Sequence, residues 1–218
     1  MAAHAGPVRL DRSELWHHTP VLLAINALLA VAMLPPLLLL LGGAVLVAPL
    51  GAAVTLGPAW AATIAVTDRI VVGAPASLGV LARSLCDQWR IGCRLALVPA
   101  VVCASVLSGA DLASGASLWA GSLVAALIAA VAVALALPFV FSVAVTGEHR
   151  GVRAWRTALL VAGFRPVRTL SVLTVIALAG VLAYLLGPGV VLVAPSLVAL
   201  RCSAAIPFDI PMEDDDHR

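Results

Sequence analysis

"PVLLAINALLAVAMLPPLLLLLGGAVLVAPLGAAVTLGPAWAATIAV", residues 20 to 66, runs for 47 residues without a charge. A bilayer's hydrocarbon core is about 30 Å thick and a helix rises about 1.5 Å per residue, so one crossing takes about 20 residues. The stretch is too long for one crossing and too short for three with their turns. Two helices fit, with a turn near "LLGGA", residues 40 to 44, where paired glycines break the helical pattern. Pro35, Pro36 and Pro49 should kink or open these helices. Membrane helices tolerate such defects when neighbours satisfy the freed carbonyls.

The rest of the chain has the same character. Of 218 residues, 62% are apolar and 11% charged, and the mean hydropathy is +1.10. That lies far outside what a water-soluble domain needs to fill one core. The first apolar run has no polar segment after it, so we expect the first helix to be retained and not removed as a signal peptide. The expected fold is all-α: a polytopic membrane helical bundle with about six transmembrane helices and two interfacial amphipathic helices. Residues 1–19 form an N-terminal tail and 20–206 the membrane domain. The spans fall at about 20–41, 44–67, 95–110, 118–145, 169–186 and 190–205, with cytoplasmic helices at about 76–94 and 150–166 and an acidic tail at 207–218. A Gly/Ser-rich loop at 108–117 and "GPG" at 187–189 supply turns, and the length of the fourth span implies a tilt, a kink at Pro138, or both. The sixth span requires Arg201 to snorkel back to the interface.

The basic residues orient this bundle. All thirteen are arginine, which we read as a coding bias and not as a binding signal. Two lie in the N-terminal tail, four in residues 68–94, five in 147–168 and two from Arg201 onward. With six spans those four segments share one side and the opposite loops carry none. The positive-inside rule then puts both termini and both arginine-rich segments in the cytoplasm, in a multi-pass membrane protein. "AVTDR" (65–69) and "AVTGEHR" (144–150) become equivalent cytoplasmic exits of spans two and four, each with a proline on the approach, Pro58 and Pro138. The unit contains two crossings, so its copies run parallel, unlike inverted transporter repeats. We assign Pro58 and Pro138 as helix hinges.

Periodicity identifies the two arginine-rich segments. Leu78, Leu81, Leu85, Trp89 and Gly92 recur at three- and four-residue steps, with Arg83, Asp87, Arg90 and Arg94 elsewhere on the helix. Val152, Trp155, Leu159 and Ala162 recur likewise, with Arg150, Arg153 and Arg156 toward water. Both read as helices in the headgroup plane. They are either a paired docking surface for a cytoplasmic partner or a basic face for anionic lipid. Arg83, Trp89, Arg90, Arg153, Trp155 and Arg156 are the candidate partner or lipid contacts. Asp87, four residues after Arg83 and three before Arg90, is placed to pair within its helix.

Chemistry-bearing patterns are scarce. Apart from Arg201, no acid, base or histidine lies inside an expected span. The interior polar groups are Asn26, Thr55, Thr63, Ser105, Ser122, Ser142, Ser171, Thr174, Tyr184 and Ser196. Ion-coupled transporters and proton relays carry buried acids or histidines there. P-loop, HExxH, GxSxG and kinase signatures are missing from the sequence. Cys86, Cys93, Cys103 and Cys202 form no C-x-x-C pair and read as small apolar filler. His4 and the "WHH" at 16–18 read as solvated interface residues and not as a metal site. We therefore expect no catalytic residues, no cofactor, no metal and no nucleic-acid partner; the lipid bilayer is the one implied by composition.

Several of these residues also resemble a family. Asn26, Leu34-Pro35, "TLGPAWAA" (55–62) and "ALLVAGFRPVRTL" (158–170) are similar to the YesL-like bacterial integral membrane proteins, a domain of unknown function. The similarity covers nearly the whole chain, through short motifs, none of them catalytic. In that family the Leu-Pro and Thr-x-Gly-Pro-Ala elements lie close together, whereas here the residues between Pro35 and Thr55 intervene. The resemblance implies an association with carbohydrate ABC importers. The expectation is a non-enzymatic accessory protein or subunit of a transport system, with a transporter complex or other membrane protein as partner. A small-solute permease or channel is the alternative, and a membrane-embedded enzyme comes third.

Overall fold

The computed structural model describes residues 12–113, 120–145, 151–164, 166–186 and 194–205. They form seven helices and, among the described residues, no strand: α1 (Arg12–Leu41), α2 (Ala48–Val71), α3 (Leu78–Ala113), α4 (Ala120–Val145), α5 (Val152–Phe164), α6 (Pro166–Leu186) and α7 (Ala194–Ala205). Residues 1–11 with His4, positions 114–117 of the expected Gly/Ser loop, Arg150, the 187–189 turn and the acidic tail at 207–218 lie outside the described residues.

The charge-free run folds as two helices. α1 ends at Leu41, Gly43 adopts a left-handed φ of 80°, and α2 begins at Ala48. Pro49 lies in the first turn of α2, where its missing N–H has no intrahelical acceptor to lose, so it starts a helix instead of kinking one. Pro35 and Pro36 are interior to α1 and Pro58 is interior to α2.

Four helices, α1 to α4, are long and apolar enough to cross a bilayer, or five if α5 and the Thr169–Leu178 part of α6 form one span bent by 94°. The described length of α7, 12 residues or about 18 Å, is shorter than the hydrocarbon core. The expected division between a cytoplasmic helix at 76–94 and a span from 95 is not a break. α3 is one helix of 36 residues, about 54 Å long, and Gly92 within it serves a helix crossing and not a turn.

α2 lies at the centre, packed against α1, α3, α4 and α7, while α5 packs on α4 and α6 on α7. Small side chains fill its contacts: Ala53, Ala59, Ala61 and Ala62 are buried, as are Ala96 and Ala100 of α3 and Ala136 and Ala144 of α4. Large apolar side chains point the other way: Leu38, Ile128, Val131 and Leu170 are all more than 60% exposed. This is the arrangement expected where the surroundings are as apolar as leucine, so that packing, not hydrophobicity, brings helices together. The same principle corrects the expected face of α5. Ala154, Trp155 and Ala158 face inward, whereas Val152 and Leu159 face out.

The tightest crossing joins α2 to α3. A Cβ built on Gly57 would stand 2.6 Å from the carbonyl oxygen of Gly92 and 2.6 Å from Ala96 Cβ; one on Gly92 would stand 2.6 Å from Pro58 Cα. Neither position accepts a side chain without the helices moving apart.

Candidate functional site

Proline-freed carbonyls determine where several polar side chains sit. Proline removes the N–H that would bond the carbonyl four residues earlier. Pro36 frees Ala32, and Thr55 of α2 donates its hydroxyl to the Ala32 oxygen at 2.7 Å while also reaching Gly51 O at 3.1 Å. Pro58 frees Val54, and the Cys93 thiol of α3 donates to the Val54 oxygen at 3.8 Å. Pro166 frees Ala162 at the bend between α5 and α6, and Thr169 donates to the Ala162 oxygen at 3.0 Å. Each of these three prolines, Pro36, Pro58 and Pro166, thus frees one carbonyl that a side chain meets, the kind of repair a membrane interior favours.

A second polar group holds α7 against α1 and α2. Asn26, 4% exposed, donates its amide to Ser196 Oγ at 3.1 Å and accepts the Ser196 backbone N–H at 3.0 Å. Ser196 is in the first turn of α7, whose N–H groups lack intrahelical partners, so a side chain of α1 caps a different helix. Further along α7, Ser203 Oγ lies 3.0 Å from Thr67 Oγ1 of α2 and also hydrogen-bonds the Asp68 side chain. Thr63 and Thr67 return their hydroxyl hydrogens to their own helix, at Ala59 O and at Thr63 O and Ile64 O. Asn26, Thr63, Thr67, Ser196 and Ser203 are buried; Asp68 is half-buried.

α2 carries Asp68 and Arg69 in its last turn, beyond the end expected for span two at residue 67. α2 continues past Val66 to Val71, and the stretch Ala48–Val71 that qualifies as a crossing includes the acid. The adjacency of Thr67 and Asp68 was present in the sequence. The distant partner Ser203 was not. The Arg201 side chain lies outside the described residues.

The candidate contacts divide. Arg83, Trp89 and Arg90 are exposed on the N-terminal half of α3, with Trp89 45% exposed. Arg153 and Arg156 are exposed on α5. Trp155 does not join them: it is 9% exposed within the core, and its indole Nε1 has no hydrogen-bond partner among the described residues. The alanines around Trp155 let α5 approach α4 closely enough to cover the ring, which the alternation of large residues concealed. No ion pair joins Asp87 to Arg83 or Arg90 among the described residues. Pro58 and Pro138 are both buried inside their helices. Among the described residues no three His, Cys, Asp or Glu side chains gather to hold a metal.

Behind the Gly57–Gly92 crossing lies an apolar groove of about 730 Å³ bounded by α1, α2, α3 and α4. None of its lining side chains is an acid, base, hydroxyl or amide; Trp60 and Cys103 alone carry an N–H or S–H.

No family, no curated protein and no solved structure matches the chain.

Proposed function

We propose that this chain is a non-enzymatic, multi-pass accessory subunit of a transport system that engages a cytoplasmic partner through the basic ends of α3 and α5. The observation that carries the reading is the length of α3. Its 36 residues, about 54 Å, exceed a hydrocarbon core of about 30 Å, and its basic residues Arg83, Arg90 and Arg94 all lie before Leu95, while the 16 residues from Leu95 to Ala110 carry no charge and Asp111 follows at the other end. The part from Leu78 to Arg94 is therefore free to stand beyond the membrane, with Arg83, Trp89 and Arg90 exposed. Arginine and tryptophan are the side chains that most often dominate protein interfaces. Arg153 and Arg156 extend the same chemistry on α5. The finer parts of the proposal are six crossings, both termini in the cytoplasm of a bacterium, and two parallel halves related through Pro58 and Pro138. The link to carbohydrate import rests on the YesL-like resemblance.

A photo-cross-linking residue in place of Trp89, used in native membranes, tests this. The expected result is capture of a discrete transporter subunit. Arg83, Arg90, Arg153 and Arg156 converted together to lysine keep the charge that lipid reads and lose the forked hydrogen bonds that a docked partner reads, so capture should fall with insertion unchanged. Equal capture by the lysine variant sinks the reading and leaves lipid as the sole partner of these faces.

The permease alternative is favoured by one observation, Asp68 within α2 beside Thr67 and Ser203. Against it, the hydroxyls of Thr55, Thr63 and Thr67 are committed to backbone carbonyls. Solute flux through the reconstituted chain that is lost in Asp68→Asn would favour this second reading.

A further inference from the structure

We infer that the groove between α1, α2, α3 and α4 binds one acyl chain of a membrane phospholipid. Its floor is made by Ala53, Ala100 and Phe141, all buried, and its mouth by Leu37, Leu40 and Val45, all more than 40% exposed. A resident water needs two to four polar partners, and the lining side chains offer neither hydroxyl nor amide. Thr55, next to Leu56 of the wall, has its hydrogen engaged by Ala32 O. A dry, unfilled groove of this size forfeits dispersion contacts along every wall. Its filler must therefore be apolar.

The shape specifies a chain. From Ala48 to Trp60 the wall follows α2 for about 18 Å, close to the depth of one leaflet, about 15 Å of a core of about 30 Å. The entrance is apolar as well. No side chain from Leu37 to Leu50 is polar, and the N–H groups of Gly42, Gly43, Ala44, Val47 and Ala48 are bonded within the turn, to Leu38, Leu40, Leu39 and Ala44. The mouth is continuous with the outward surface of α1 and α3, where Leu34, Leu38 and Val101 are exposed. In a bilayer, hydrocarbon stands against that surface, and the groove extends it inward between the helices.

The full chain reconstituted in phosphatidylcholine vesicles tests this, with a fraction of the lipid carrying a diazirine midway along one acyl chain. After irradiation, the labelled residues are mapped by mass spectrometry. The floor residues Ala53 and Ala100 should be labelled several-fold more densely than Ile128 and Val131 on the outward face of α4. Leu40→Trp, at the exposed mouth and so harmless to folding, should lower floor labelling several-fold and leave Val131 unchanged. Floor labelling no denser than that of α4, or unaffected by Leu40→Trp, overturns the proposal. So does floor labelling that falls as the protein-to-lipid ratio rises while Cys103 cross-links between copies, because a second chain would then be the occupant.

Discussion

α2 and α4 are both helices of bilayer length with a buried proline, yet 56% of the most apolar window of α2 is buried against 22% for α4, the more apolar of the two. In water that order would be reversed. In a bilayer, apolar side chains gain nothing by leaving lipid for protein, and what draws helices together is close approach and polar pairing. α2 has both: glycine and alanine along its contact with α3, and hydroxyls that reach other helices, Thr55 to Ala32 O of α1 and Thr67 beside Ser203 Oγ of α7. α4 directs Leu127, Ile128 and Val131 outward and packs mainly through its second half, from Ala136 to Ala144. Stability is therefore concentrated at small residues.

The strongest way to break this contrast is to exchange sizes. Gly92→Val puts a side chain where a Cβ alone would stand 2.6 Å from Pro58 Cα and 2.7 Å from Gly57 O. The helices must separate along the crossing, and we expect a loss of about 3 kcal/mol or more. Ile128→Ala removes three carbons from α4, as many as Gly92→Val adds to α3, but that side chain is 66% exposed, and the change should stay within about 0.5 kcal/mol. Unfolding in mixed micelles of increasing denaturing detergent measures both. Comparable losses would mean that size at the crossing is not what holds the bundle.

A smaller effect sharpens the polar half of the contrast. Asn26→Leu removes both bonds to Ser196 and leaves an N–H at the start of α7 without its acceptor, for an expected cost of about 1–2 kcal/mol. Ser105→Ala removes a hydroxyl that bonds only its own helix, at Val101 O, and should be close to neutral. Hydrogen exchange should show the first turn of α7 opening selectively in Asn26→Leu. Unchanged protection there would remove Asn26 from its capping role.

The helical class and the α1–α2 turn were legible because charge-free length and paired glycines act locally. Inward and outward faces were not: Trp155, Val152 and Leu159 are all apolar, and a bilayer gives hydrophobicity no inner side. The Asn26–Ser196 and Thr67–Ser203 pairs join residues far apart in the chain, and no periodicity encodes such partners. The end of the apolar run does not mark the end of the helix: α2 continues through Asp68 and Arg69 to Val71.

The subtlest test concerns the proline-freed carbonyls, where the effect of one substitution depends on another. Thr55→Val alone leaves Ala32 O without its 2.7 Å donor and should cost about 0.6–1.7 kcal/mol, the range for hydrogen bonds between membrane helices. Pro36→Ala returns to α1 a backbone N–H positioned for the same carbonyl. In that background Thr55→Val should cost less, because its hydroxyl is then redundant. The Pro58 and Cys93 pair should show the same sign of coupling with a smaller size, since a thiol at 3.8 Å is a weak donor to Val54 O. Cys93→Ala should thus be milder than Thr55→Val, and milder still once Pro58→Ala restores the helical bond. Double-mutant cycles on detergent unfolding read both couplings. Additive costs at the two sites would show that these side chains merely lie near the breaks, and that the opened backbone of α1 and α2 is satisfied some other way.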